Sequence, residues 1–176
     1  MATKDKGIIF DMRKGQNMEL WCEADFCGNW RAEMADVDKS TAKSRTGYLI
    51  TYAGCLVTWA SKMQTEVALS TTEAELIAMS EGLRTAIPIM NLVEEMMEQG
   101  IGRFNSCARV HCKVFEDNAG AMTIATMPKI RPRTKYIMAN IGTLGNIWIC
   151  QKMSLPNSKT GSWVKQSILA PTCKGV

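Results

Sequence analysis

Apolar residues recur every three or four positions along one stretch of the chain, the spacing of one face of an α-helix. This stripe consists of Leu76, Met79, Leu83, Ile87, Met90, Val93 and Met97. Ser70 stands just before it, and the sequence ahead of Ser70 is rich in β-branched and aromatic residues. The pattern predicts a long helix that starts after Ser70 and covers a sheet, with a kink at Pro88, where the proline ring removes a backbone donor.

Shorter apolar runs predict the strands of that sheet. In the run 20–26, Leu20 and Cys22 alternate with Glu23 and Asp25, so the two acids share one face. Two β-branched and aromatic runs on either side of Gly54 predict a hairpin. The predicted strands are 20–26, 47–53, 55–61, 109–116 and 147–153, the further helices are 118–126 and 162–169, and the polar loops are 29–46 and 127–146.

Composition favours one domain in a reducing compartment inside the cell. A chain of 176 residues with 46% hydrophobic residues can bury roughly 70% of the surface that its unfolded form exposes. We divide it into a lead segment, 1–18, and a domain, 19–176. The seven cysteines are odd in number, form no CxxC pair and follow no signal peptide, which argues against a disulfide framework. No apolar run approaches the roughly 20 residues that a membrane span needs.

Charge is distributed unevenly along the chain. Residues 1–100 carry 10 Lys and Arg against 15 Asp and Glu, a net −5, whereas residues 101–176 carry 11 against 2, a net +9. The densest basic stretch is PKIRPRTK, whose two prolines favour an extended loop. Its cations, Lys129, Arg131, Arg133 and Lys135, either bind nucleic-acid phosphates or keep a solvated loop soluble.

Among the acidic residues in or next to predicted elements, three are candidate site residues: Glu23, Glu73 and Asp117. Glu73 heads the apolar stripe and should face the sheet, where an ionised carboxylate is costly unless it is paired or holds a metal. The alternative is helix capping, because Ser70 with Glu73, and Thr72 with Glu75, match the S/T-x-x-E capping box. Asp117 has a similar alternative as the N-cap of the next helix.

Four sequence blocks resemble the ribonuclease H domain at the end of copia-type retrotransposon polyproteins. They are EADFCGNW, SRTGYLITYAGCLVTWASKMQTEVALSTTEAELIAMSEGLR, FEDNAGA and PRTKYI. The resemblance implies an α/β, ribonuclease H-like fold with a five-stranded mixed sheet flanked by helices. Because Met1 lies immediately before this domain, we expect a freed, domesticated fragment of such an element.

The resemblance also implies what the carboxylates do. In this family four acids hold two Mg²⁺ ions about 4 Å apart around the scissile phosphate. Glu23 replaces an Asp of the family pattern, Glu73 and Asp117 match it, and Asp25 is a possible substitute for the first acid. Ser162 or Trp163 aligns with the fourth acid, and no Asp or Glu follows Asp117. One weakly held Mg²⁺ at most is therefore expected.

These departures predict a non-catalytic domain that binds RNA and protein subunits in a ribonucleoprotein assembly, for example in an organelle such as the mitochondrion. Lys129, Arg131, Arg133 and Lys135 would contact the RNA. One alternative is an active Mg²⁺-dependent ribonuclease H that cleaves RNA in RNA–DNA hybrids, and another is a pure protein scaffold. The only histidine, His111, is expected inside the fourth strand rather than in catalysis. No small-molecule substrate is expected.

Overall fold

The computed structural model describes residues 17–34, 36–101, 110–126 and 147–151, which form a five-stranded mixed sheet and two α-helices. The predicted α/β architecture is confirmed. Short 3-10 helices at Ala32–Met34 and Lys39–Ala42 lie within the predicted polar loop. The main elements are β1 (Met18–Asp25), β2 (Arg45–Tyr52), β3 (Cys55–Met63), α1 (Thr71–Glu98), β4 (Cys112–Glu116), α2 (Ala119–Thr126) and β5 (Ile147–Gln151).

The strand order β3-β2-β1-β4-β5 brings several element ends to one edge of the sheet. β2 pairs antiparallel with β1 and β3, whereas β4 pairs parallel with β1 and β5. The carboxyl ends of β1, β4 and β5 therefore meet at the same edge, together with the amino end of β2. The acidic residues Glu23, Glu116 and Asp117 lie close to this edge.

The predicted hairpin is present, and its strands extend beyond the predicted limits. Ala53 and Gly54 form the turn, with φ angles of 52° and 83°. Positive φ at both central residues is typical of the tight two-residue turn whose twist matches that of the flanking strands. β2 begins at Arg45 and β3 ends at Met63, so the hairpin reaches the acidic edge of the sheet.

α1 covers one face of the sheet with the predicted apolar stripe. Leu76, Met79 and Leu83 are fully or almost fully buried in a core that includes Leu20 of β1. Gly82 allows a close approach, because a Cβ built there would lie 2.9 Å from Cδ1 of Leu20. α1 continues through Pro88 to Glu98. Pro88 has no N–H to donate to the backbone carbonyl four residues before it, and because Pro88 is exposed, that carbonyl lies on the solvent side of the helix.

Some predicted features lie outside the described residues. These are most of the lead segment, the basic residues Lys129, Arg131, Arg133 and Lys135, and the closing helix 162–169 with Ser162 and Trp163. β4 begins at Cys112 rather than at residue 109, which leaves His111 just before the strand, where its carbonyl accepts the N–H of Met18 at 3.1 Å. Among the described helices, none is both long and apolar enough to cross a membrane.

Candidate metal centre

Three carboxylates converge at the acidic edge of the sheet. Glu23 comes from β1, Glu75 from α1 and Asp117 from the residue after β4, and one oxygen of each lies within 4.8 Å of the other two. Glu23 and Asp117 are exposed, whereas Glu75 is 6% exposed. Carboxylate oxygens are the ligands that Mg²⁺ and Ca²⁺ prefer. We call Glu23, Glu75 and Asp117 the carboxylate cluster.

The helix acid of this cluster is Glu75, so the assignment of Glu73 to it is corrected. Glu73 takes part in capping the helix instead: its N–H donates to Oγ of the N-cap Ser70 at 3.1 Å, and its Oε2 accepts the N–H of Leu69, the residue before the cap, at 2.8 Å. Glu75 lies one turn before Met79 and two turns before Leu83, on the row that faces the sheet. That spacing is present in the sequence, but Glu73 and Glu75 both match a capping box, so the sequence alone did not decide which of them faces the sheet.

Glu75 occupies an electrostatically unfavourable position. Burial raises the pKa of Glu75 from its ordinary value of 4.5 to about 8, and the negative charges of Glu116, Glu23 and Asp117 raise it as well, while a hydrogen bond from the backbone of Ala24 lowers it. Its Oε2 is buried and has no hydrogen-bond partner among the described residues. A buried oxygen without a partner, beside two further carboxylates, fits a divalent cation, because a cation would supply the missing charge and contact.

Glu116 is a fourth acid at this edge, and the sequence interpretation missed it. It is 0% exposed, and its Oε1 accepts the N–H groups of Asp117 at 3.1 Å and Asn118 at 3.0 Å. Burial raises the pKa of Glu116 to about 7, with these two hydrogen bonds acting in the opposite direction and Asp117 and Glu23 adding to the rise. Glu116 follows Cys112 and Val114 on the buried face of β4, an alternation that the sequence already contains.

The turn after β4 links the two helices beside the cluster. Asn118, and not Asp117, caps α2, since its Oδ1 accepts the N–H of Ala121 at 2.9 Å. The hydroxyl of Thr72, in the first turn of α1, donates to the same Oδ1 at 3.3 Å. Asp117 therefore does not cap α2, although its position in the sequence suggested this role. Its side chain contributes to the carboxylate cluster instead.

Asp25, the possible substitute ligand, lies outside the carboxylate cluster. Its carboxylate packs over Gly28, where any Cβ would overlap it. Asp25 is two residues further along β1 than Glu23, a distance of about 6.5 Å along the strand. The structure therefore gives no support to Asp25 as a replacement for Glu23.

Comparison with known proteins finds two that share part of this sequence. A stretch of 107 residues is 37% identical to the retrovirus-related Pol polyprotein from transposon TNT 1-94 of Nicotiana tabacum, covering 60% of this chain and 7% of the polyprotein. A stretch of 86 residues is 33% identical to the secreted RxLR effector protein 161 of Plasmopara viticola, covering 49% of this chain and 54% of that protein. The chain thus spans less than two thirds of either relative. No protein-family profile matches it.

The fold comparison points in the same direction. The structure of LC11-RNase H1, isolated from compost by a metagenomic approach, superposes with a TM-score of 0.52 and 13% identity, covering 78% of this chain and 84% of that one. At this identity the likeness concerns the fold, which is ribonuclease H-like. The chain therefore has a ribonuclease H-like fold, and a stretch of it is similar to part of a retrotransposon Pol polyprotein, in agreement with the resemblance seen in its sequence blocks.

Proposed function

We propose that this domain binds one divalent cation through Glu23, Glu75 and Asp117 and holds a phosphate of an RNA strand there, without efficient cleavage. The observation that carries the proposal is the approach of three carboxylate oxygens to within 4.8 Å of one another. Bonds of 2.0–2.1 Å for Mg²⁺ or 2.3–2.6 Å for Ca²⁺ put opposite ligand oxygens about 4–5 Å apart. One ion therefore suits the spacing of the cluster.

Each residue has a separate task in this binding. Glu23 and Asp117, both exposed, face the solvent from which RNA arrives. Glu75, almost fully buried, approaches from beneath α1. Glu116 fixes the backbone of Asp117 and Asn118 and so sets the direction of the Asp117 side chain. The cation, when bound, neutralises part of the charge of the cluster and of the phosphate, which would otherwise repel each other.

The composition of the cluster supports binding over cleavage. Two-ion phosphoryl transfer uses one ion at the attacking oxygen and another at the leaving oxygen. Three carboxylates within 4.8 Å provide for one ion, and the sequence after Asp117 contains no Asp or Glu that could complete a second site. Glu23 also carries one methylene more than the Asp of the family pattern, and a displacement of about 1 Å can cost about a hundredfold in a positioned reaction.

The second candidate is an active, Mg²⁺-dependent ribonuclease H acting on RNA–DNA hybrids. The assembled cluster favours it, because the three acids still converge despite the changed first acid. Glu23, Glu75 and Asp117 would then hold Mg²⁺, which would supply the positive charge needed to bind the scissile phosphate and to activate a water. The difference between the two candidates is the rate of cleavage.

Titration calorimetry with Mg²⁺ and Mn²⁺, alongside cleavage of a labelled RNA–DNA hybrid, tests both candidates. We expect one ion per chain and no cleavage above that of Asp117→Asn. Absence of ion binding would overturn the proposal, and so would cleavage that Asp117→Asn abolishes, which would establish the second candidate. Glu95→Gln, an exposed change on α1, serves as the control.

The RNA part of the proposal also draws on the basic sequence Lys129, Arg131, Arg133 and Lys135. If all four contact phosphates of a duplex, replacing them with Ser should reduce the slope of log affinity against log salt by about 3 to 4. An unchanged slope would favour the protein scaffold. Domestication and membership of a ribonucleoprotein assembly stay predictions, to be checked by identifying what co-purifies with the chain.

A further inference from the structure

A separate pocket lies at the same edge of the sheet as the carboxylate cluster, between the β1–β2 connection, the start of β2 and the end of β3. Its volume is about 470 Å³, which is within the range of small-ligand sites. The residues that line it include an aromatic residue, two cations and two methionines: Trp30, Arg31, Arg45, Met34 and Met63. We call it the Trp30 pocket.

The polar and aromatic groups of the Trp30 pocket suit a nucleotide. Trp30 is 55% exposed, Arg31 is exposed and Arg45 is half-buried, so all three can reach a ligand. Bases stack on exposed aromatic rings with little regard to sequence, and guanidinium groups bind phosphate in a two-pronged geometry. Asp38 also lines the pocket, but its carboxylate already accepts the N–H of Ser40 at 2.9 Å.

Local hydrogen bonds hold the wall of the pocket in place. Cys27 adopts a left-handed conformation with φ 51°, its N–H donates to Oγ of Ser44 at 3.3 Å, and its thiol donates to the carbonyl of Ala42 at 3.0 Å. The N–H of Trp30 donates to the carbonyl of Cys27 at 2.9 Å. These bonds connect the start of the β1–β2 connection to its end and hold the backbone that carries Trp30.

The register of the sheet relates the pocket to the carboxylate cluster. Arg45 pairs with Asp25, and Gly47 pairs with Glu23. Residues directly opposite in an antiparallel pair share a face, so Arg45 lies on the same face as Glu23 and two residues nearer the edge, about 6.5 Å along the strand. A nucleic-acid strand with one phosphate at the cluster can therefore continue over Arg45 into the pocket.

We propose that the Trp30 pocket binds one nucleotide of the RNA strand, with its base on Trp30 and its phosphate between Arg31 and Arg45. The identity of the ligand as RNA rests on the proposed function, whereas the binding itself needs no cation. The pocket thus adds a second point of attachment beside the carboxylate cluster and fixes the direction in which the strand leaves it.

The test is fluorescence anisotropy of a labelled single-stranded RNA of about 12 nucleotides with the full chain, in EDTA and in Mg²⁺. Trp30→Ala should weaken binding by roughly 5- to 150-fold in both conditions, the range expected for loss of one stacked base. Arg31→Ser combined with Arg45→Ser should reduce the slope of log affinity against log salt by about 1.4. Trp59→Ala, a 63% exposed indole on β3, and Arg84→Ser, an exposed cation on α1, are the matched controls.

Two results would overturn the inference: binding by the pocket variants that equals that of the unmodified chain, or equal losses in the control variants. The cation-held phosphate of the proposed function and the nucleotide site in the Trp30 pocket can be refuted independently of each other. If Mg²⁺ has no effect on RNA binding but Trp30→Ala still weakens it, the pocket stands and the cation-held phosphate does not. If Glu75→Gln removes a Mg²⁺-dependent part of binding while Trp30→Ala changes nothing, the reverse holds. If the chain binds no RNA at all, both are wrong.

Discussion

The carboxylates of Glu73 and Glu75 have different surroundings although only one residue lies between them on α1. Residues that are two positions apart in an α-helix are separated by about 200° around the helix axis. Glu73 therefore turns back to the N–H of Leu69 at 2.8 Å, while Glu75 points beneath the helix towards Glu23 and Asp117. One carboxylate stabilises the start of the helix and the other enters the candidate metal centre.

The first prediction separates these two roles. Glu75→Gln should lower Mg²⁺ affinity at least about tenfold, because it removes one charged ligand of three. Glu73→Gln should leave that affinity unchanged within error. Calorimetric titration of the two variants measures both values. A larger loss in Glu73→Gln than in Glu75→Gln would contradict the assignment of Glu75 to the cluster.

The second prediction concerns stability and pH. The pKa of Glu75 is raised to about 8 and that of Glu116 to about 7, so the folded state keeps protons that the unfolded state releases above pH 4.5. The free energy of unfolding should therefore fall as pH rises from about 4.5 to 8, by at most about 1.4 kcal/mol per pH unit for each group, and then level off.

Urea unfolding at pH 5 and pH 8 in EDTA measures this fall. Glu75→Gln should reduce the pH dependence to the part that Glu116 contributes, since the amide does not ionise. Adding Mg²⁺ at pH 8 should restore stability to the unmodified chain through binding to the folded state alone. A free energy of unfolding that rises between pH 5 and pH 8 would contradict the raised pKa values.

The third prediction concerns Glu116 as a residue that positions Asp117. Glu116→Gln keeps an oxygen for the N–H groups of Asp117 and Asn118, whereas Glu116→Val leaves both N–H groups without that acceptor. We expect Glu116→Val to lose about 1–3 kcal/mol of stability and to bind Mg²⁺ more weakly. Glu116→Gln should fold and bind Mg²⁺ better than Glu116→Val. Equal Mg²⁺ affinity in the two variants would show that Glu116 does not act through the turn.

The fourth prediction concerns the cap of α2. Asn118→Ala removes the acceptor of the Ala121 N–H and of the Thr72 hydroxyl, and should cost about 1 kcal/mol. Asn118→Asp keeps a capping oxygen and should retain most of the stability. Thermal unfolding of both variants, monitored by circular dichroism, measures the difference. A loss in Asn118→Asp as large as that in Asn118→Ala would argue against the cap.

The sequence predicted the elements whose apolar residues recur at a regular spacing. The stripe from Leu76 to Met97 gave the buried face of α1, and the alternation around Cys22 placed Glu23 on the opposite face of β1. It could not choose between Glu73 and Glu75, because both match a capping box and the first residue of the helix decides which one caps. A helix that began two residues later, with Thr72 as its N-cap, would give the capping role to Glu75 instead of Glu73.

The Trp30 pocket could not be predicted for a different reason. The polar insertion between β1 and β2 has no regular spacing of apolar residues, and its shape depends on contacts of Cys27 with Ala42 and Ser44, which are distant from it in sequence.

The buried position of Glu116 was predictable from the alternation of apolar residues in β4. The reason for an acid on this apolar face becomes clear only once its contacts with the N–H groups of Asp117 and Asn118 are known.

The close packing at Gly82 has a consequence for how this domain can vary among relatives. Gly82 lies seven residues, or two turns, after Glu75 on the same side of α1, and a Cβ there would meet Leu20 at 2.9 Å and Sγ of Cys22 at 3.3 Å. Any side chain at position 82 would push this part of the helix away from β1 and carry Glu75 with it. We therefore expect relatives that keep the carboxylate cluster either to keep glycine at this position or to pair a larger residue with a smaller one at position 20, so that the two sites change together.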